Sequence, residues 1–154
     1  MTEVELDDVD RAILYVLQLD SRNNTNAAIS DQIDVSASTV GKRIKRMEES
    51  GVINGYRPEI DYELAQLPLE VLFICTAPIT DREMLIEKTR EIEGVTNIRE
   101  LMTGRGNVHI KVVGSSNDDI TRIAREIDGL GYEVTDEILS RGEYTVPLTI
   151  FRKG

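Results

Sequence analysis

The sequence predicts an α+β chain, with an N-terminal helix-turn-helix domain of the winged-helix kind and a C-terminal ferredoxin-like βαββαβ domain. Three observations predict it. Residues 1–56 carry three helical periods, the third of them basic. From residue 69 onward, strand-like and helix-like stretches follow in the order strand, helix, strand, strand, helix, strand. Between these blocks lie residues 57–68, bracketed by Arg57-Pro58 and Leu67-Pro68, acidic and without a period. They read as a connector, so the expected domains are 1–56 and 69–154.

Composition narrows the class before any element is placed. A chain of 154 residues suits one ordinary domain or two small ones. Forty percent of it is apolar, but nowhere in a run of the about 20 residues that a membrane span needs. The N-terminus MTEVELDDVD is acidic and lacks the basic and apolar regions of a secretory signal, so a cytoplasmic address and no membrane partner are expected. Cys75 is the single cysteine and lies in the apolar run Val71–Ala77, where it reads as a small packed hydrophobe. That rules out an internal disulfide or a cysteine-built zinc site, and no cofactor or metal is expected.

The first helix is expected from about Leu6 to Leu19, with Leu6, Val9, Ile13, Val16 and Leu17 as its apolar stripe. Asp10 falls inside that stripe, and a buried carboxylate requires a partner. Asn26–Ile33 fits a short second helix capped by Thr25, and the turn Asp34-Val35 leads into a third. There Ser36 caps the first turn by accepting from the amide of Ser38 or Thr39. Apolar residues return at Ala37, Val40, Ile44 and Met47, with Ser38, Thr39, Lys42, Lys45 and Arg46 opposite. Val35 to Met47 holds four cations and no carboxylate, in a chain of net charge −10.

A helix, a tight turn and a basic helix make the arrangement whose second helix enters the DNA major groove, about 12 Å wide. On this reading the partner is double-stranded DNA. The DNA-binding residues are Ser36 at the helix start, Ser38, Thr39 and Lys42 facing base edges, and Lys45 and Arg46 holding phosphates. Arg43 flanks the apolar face, so an Asp10–Arg43 ion pair is expected to brace the three helices, the alternative being that Asp10 rims the core in water. Gly41, on the same flank, permits another helix to come close, at a propensity cost of about 1 kcal/mol. Gly51–Tyr56 then ends the helix and enters an extended piece suited to a wing or ribbon.

The overall acidity, 28 Asp and Glu against 18 Lys and Arg with only five lysines, runs against ordinary DNA binding. Lysine-poor acidic surfaces recur in proteins of very salty cytoplasm, which points to a halophilic archaeal source. At high salt the counterion term behind phosphate binding shrinks steeply, leaving base contacts and dimer avidity to carry the interaction.

In the second half, Leu69–Ala77 is a strand apolar on both faces, with Val71, Phe73 and Cys75 on one and Leu72, Ile74 and Thr76 on the other. Thr80-Asp81-Arg82-Glu83 reads as a capping box for a helix carried by Leu85, Ile86, Thr89 and Ile92 and stopped by Gly94. Val95–Met102 and Val108–Val113 are strands joined by the turn Thr103-Gly104-Arg105-Gly106-Asn107. Ser116 or Asn117 caps a second helix, with Ile120, Ile123, Ala124 and Ile127 inward and Gly129 as its stop. Tyr132–Leu139 is the fourth strand, and the tail Tyr144–Phe151 alternates as an extra edge strand limited by Pro147. Helices cover one face of such a sheet. A second copy is the economical cover for the other, which gives a symmetric homodimer.

With these parts in place the chain resembles the Lrp/AsnC (feast/famine) transcriptional regulators from Leu6 to about Leu139. The first half rests on LDDVDRAIL and on SASTVGKRIKRMEESGVINGY, similar to the family's serine-led recognition helix and the segment after it. In the second half Thr103-Gly104 followed by Val108–Val112 resembles the family's effector-domain turn, with Gly106 and Asn107 where the family favours an aromatic and an aspartate. The resemblance implies a dimer that assembles further into tetramers or octamers, control of amino-acid or nitrogen metabolism genes, and an amino-acid effector. Thr103, Gly104, Arg105, Gly106, Asn107, Thr135 and Glu137 would line its pocket. Glycine-rich turns offer amides to a carboxylate and Glu137 a site for an ammonium. The same glycines also serve an ordinary hairpin, and Thr135 and Glu137 a wet strand face.

A rival of another class is an enzyme on the same architecture, since siroheme decarboxylases resemble this family. It would draw on the sole histidine, His109, and on Lys111 beside it on one strand face. One His and one Cys assemble no nucleophile–base pair, and an enzyme has no use for the cationic helix. A stand-alone amino-acid sensor without DNA binding would likewise leave that helix unexplained.

Overall fold

The computed structural model describes residues 3–152, so the two outermost positions at each end of the expected domains lie outside the described residues. Chain contacts separate a helical unit, reaching to Pro58 and including the tail from Tyr144, from a sheet unit, Glu59–Glu143.

In the helical unit α1 spans Asp8–Leu19, α2 Asn26–Ile33 and α3 Ala37–Glu49. Asp7 caps α1 in a reciprocal box with Asp10, and Thr25 Oγ1 accepts from the Ala28 amide to cap α2. Asp34, left-handed at φ 58°, closes α2 and turns the chain within two residues into α3. Asp tolerates that region because its short polar side chain bonds locally. Ile13, Val16, Ile29, Val40 and Met47 form the buried core, ringed by partly buried residues that include Leu6, Val9, Leu17 and Ile44. Each such side chain contributes about 1.5–3 kcal/mol relative to exposure. After α3, Gly51 at φ 81° reverses the chain and the Ile53 amide bonds the Met47 carbonyl. Residues 54–60 hold neither helix nor strand, so the expected ribbon does not form a paired strand.

The tail departs from the sequence reading. Thr149–Arg152 is a 3₁₀ turn packed on α1, and the Leu148 amide donates to Gln18 Oε1 at 3.0 Å. Pro147 has no amide to give a ladder, and the first free donor after it finds a helix side chain instead of a strand.

In the sheet unit β1 (Leu69–Thr76), α4 (Arg82–Thr89), β2 (Val95–Glu100), β3 (Val108–Gly114), α5 (Asn117–Gly129) and β4 (Glu133–Leu139) follow in the expected order. The sheet is antiparallel in the order β2-β3-β1-β4. Val71, Phe73 and Cys75 pair across with Val112, Ile110 and Val108, and this face packs on Leu85, Ile120, Ile123 and Ile127. Burial pushes the Cys75 thiol up to about 12, as suits a packed hydrophobe. Gly94 stands at φ 103°, where an added Cβ would lie 2.6 Å from Ile123 Cδ1, so this position needs glycine for both turn and packing.

Two details differ. The Thr80–Glu83 box does not form: α4 begins at Arg82, and Asp81, already helical at φ −108°, ψ −3°, makes no side-chain cap. A residue inside the helical region cannot aim its carboxylate at the next turn's amides. At the other end of the unit, α5 runs through Gly129, and the residue with positive φ is Gly131.

Candidate nucleic-acid interface and effector turn

α3 is held by its own ends and one buried stripe. Ser36 Oγ accepts from the Thr39 amide at 3.1 Å and lies 2.8 Å from Thr39 Oγ1. Val40 and Met47 are fully buried. Ser36, Ser38, Lys42, Lys45 and Arg46 are exposed and Thr39 half-buried. The structure thus brings together at one helix end three hydroxyls, partial positive charge from the helix N-terminus, and Lys42, which suits an anionic, hydrogen-bonding partner. Among the described residues Lys42 has no carboxylate within ion-pair reach, while Lys45 Nζ lies 3.9 Å from Glu49 Oε1 with both ends well exposed, a pair of little strength.

The two arginines are engaged elsewhere. Asp10 is fully buried. Its Oδ1 lies 3.2 Å from Arg43 Nη1, as the sequence led us to expect. It has a second guanidinium that the sequence reading missed: Arg46 Nη2 at 2.5 Å from Oδ2. Arg43 Nη1 also reaches Asp7 Oδ2 at 2.5 Å. Arg46, expected on a phosphate, is therefore paired to Asp10 at the rim of the domain. The signal was present in the spacing, because Arg43 and Arg46 at i, i+3 share a helix flank. The Asp10 amide and then the Arg43 guanidinium hold the Asp7 carboxyl down at about 2, and the Asp7 carboxylate raises Arg43 in turn.

At the β2–β3 turn the expected effector residues divide. Thr103, Gly104 and Arg105 are exposed. Gly106, at φ 62°, donates its amide to Thr76 Oγ1 at 2.9 Å. Asn107 is fully buried, its Oδ1 accepting from the Ala77 amide at 2.8 Å and its Nδ2 donating to the Ala77 carbonyl at 3.0 Å. Its side chain completes a rung between the end of β1 and the turn, which removes it from the ligand list. Thr135 Oγ1 donates to the Ile74 carbonyl at 3.0 Å, where β4 shifts register against β1. Turn and Thr135 thus flank the same end of β1, and Glu137, exposed opposite Phe73, stands further along.

His109 and Lys111 share the sheet face that carries no helix, with Leu72 and Arg99 beside them around a depression of about 170 Å³. Lys111 is ion-paired to Glu143 and lies 3.8 Å from Glu70. Among the described residues no helix is long and apolar enough to cross a membrane.

Residues 6–54 match the family described as winged helix-turn-helix DNA-binding. Over 143 residues the chain is 30% identical to an HTH-type transcriptional regulator of Pyrococcus abyssi, covering 88% of this chain and 93% of that protein. Two solved structures show the same fold. E. coli AsnC superposes with a TM-score of 0.75 at 21% identity, over 93% of this chain and 97% of its own. A transcriptional regulator of Neisseria meningitidis in complex with L-Met gives 0.77 at 22% identity, over 94% and 96%.

Proposed function

The chain belongs to the helix-turn-helix DNA-binding transcriptional regulators and has the Lrp/AsnC fold, and from that membership we propose a sequence-specific regulator that reads DNA with the N-terminal half of α3. The observation that carries this reading is the exposed row Ser38, Lys42 and Lys45 opposite buried Val40 and Met47. Ser38, Thr39 and Lys42 face base edges and Lys45 tracks the phosphates. Ser36 acts mainly through its cap. The helix-free sheet face, with Leu72 and Ile74 on its central strand, supports a two-fold homodimer, whose two copies of α3 would meet half-sites about one helical turn apart.

Two finer readings go with it. An amino-acid effector, as in the L-Met complex of the Neisseria protein, would bind at the exposed part of the turn, Thr103–Arg105, beside Gly106, with Thr135 and Glu137. It would act on genes of amino-acid or nitrogen metabolism by changing how dimers assemble into tetramers or octamers. The lysine-poor acidic composition supports a source with a salty cytoplasm.

Footprinting on the promoter of the chain's own gene tests the core reading. A protected, nearly two-fold site is expected, with Lys42→Ala changing which bases are protected at unchanged helix content. Protection that is uniform along the duplex, or indifferent to Lys42, overturns it.

A further inference from the structure

The sequence gives α3 three cations for DNA, Lys42, Lys45 and Arg46, with Arg43 set aside for Asp10, but the structure leaves two. Arg43 and Arg46 face the carboxylates of Asp7 and Asp10 at 2.5–3.2 Å, two positive charges against two negative ones. Asp10 is fully buried, and in that low-dielectric interior its carboxylate attracts both guanidiniums, so either arginine loses this pairing if it swings out to a phosphate. We propose that Asp10 is a positioning residue for DNA binding, which keeps Arg43 and Arg46 on the domain side of α3. Lys42 and Lys45 then remain as the helix's free cations, and on DNA of random sequence, where no base edge is read, both neutralise phosphates.

This deepens the reading of α3 as the DNA-contacting helix and rests on it. Its physical consequence is a salt law. Each phosphate neutralised by a free cation contributes about 0.9 to the slope of log K against log salt. A guanidinium already matched by a buried carboxylate releases no net counterion. Binding by this chain is accordingly built on few released ions, and salt weakens it less than the bare sequence of α3 suggests. Arg46 still shields Asp10 at the rim, where nearly half of its side chain is exposed.

The test is the salt dependence of the full chain's binding to a fluorescently labelled random-sequence duplex, followed by anisotropy, with helix content checked by circular dichroism. Lys42→Gln should flatten the slope by about 0.9 for each protomer engaged. Arg46→Gln should leave the slope where it was, although it lowers the melting temperature. Asp10→Asn, which releases Arg46 while Asp7 keeps Arg43, should steepen the slope by about 0.9 per protomer. A slope flattened by Arg46→Gln as much as by Lys42→Gln overturns the proposal, and so does a folded Asp10→Asn with the wild-type slope. Should Asp10→Asn fail to fold, the Arg46→Gln slope decides alone, because Asp10 there retains Arg43 and the Asp7 amide. A slope that Lys42→Gln does not move refutes the DNA reading of α3 itself.

Discussion

At the scale of single residues, the helical unit is fastened at Asp7, which caps α1 and pairs across to Arg43 on α3. Its carboxyl titrates at about 2 in the folded chain against an ordinary 3.8. A depressed carboxylate adds stability wherever it is ionised in both states, above about pH 4, and loses that contribution as pH falls toward 2. Urea midpoints for wild type and Asp7→Asn should therefore differ most at neutral pH and converge between pH 4 and 2. Asp20 and Asp119 are also lowered, so the difference between the two proteins, and not the wild-type curve alone, isolates Asp7. A gap that stays constant down to pH 2 would refute the assignment. Legibility differed from residue to residue here. The Asp10–Arg43 pair was readable because a carboxylate in an apolar stripe demands a cation. Asn107 was not, because its two bonds go to Ala77, thirty positions earlier, and nothing local in a turn distinguishes an amide that faces a ligand from one that bonds another strand.

Elements were legible where caps and period agreed, and Gly41 is where one of them can be improved. α2 and α3 fell on their expected residues because Thr25 and Ser36 both make their side-chain caps. α4 began later than expected because Thr80–Asp81 already belongs to the turn in which the Asp81 amide bonds the Pro78 carbonyl, so its box existed in spelling only. The tail carried an alternating pattern, yet a strand needs amide partners and Pro147 interrupts them. In the sequence, Gly41 leaves room for another helix to approach. An added Cβ there would lie 2.9 Å from Asn26 Nδ2 on α2, the far end of an exposed side chain that can rotate away. Glycine costs a helix interior about 1 kcal/mol relative to alanine. Gly41→Ala should consequently raise the unfolding free energy, by somewhat less than that amount, in urea titrations. A loss of stability would mean that Asn26 is held rigidly against α3.

At the scale of the whole molecule, the question is what covers the helix-free sheet face. One face of β1 is closed by α4 and α5, while Leu72 and Ile74 on the other are only half-buried and Ile138, opposite Leu72 on β4, is 45% exposed. Around this apolar centre stand Arg99, His109 and Lys111 on one side and Asp136 on the other, so the face offers charges of both signs to a copy of itself. A stack of two sheets about 10 Å apart would remove the apolar centre from water. Leu72→Glu places a charge at that centre without touching the core beneath. Sedimentation should find the wild type dimeric and the variant monomeric at the same concentration, with unchanged circular dichroism. Its affinity for a two-half-site duplex should fall by about 10²–10⁴-fold, because the second half-site is no longer held at high effective concentration. Affinity for a single half-site should stay as it was, since α3 and its caps lie in the other unit. A Leu72→Glu chain that still sediments as a dimer would move the two-fold contact off this face, and one that dissociates yet binds both half-sites as tightly as before would separate dimerisation from DNA recognition.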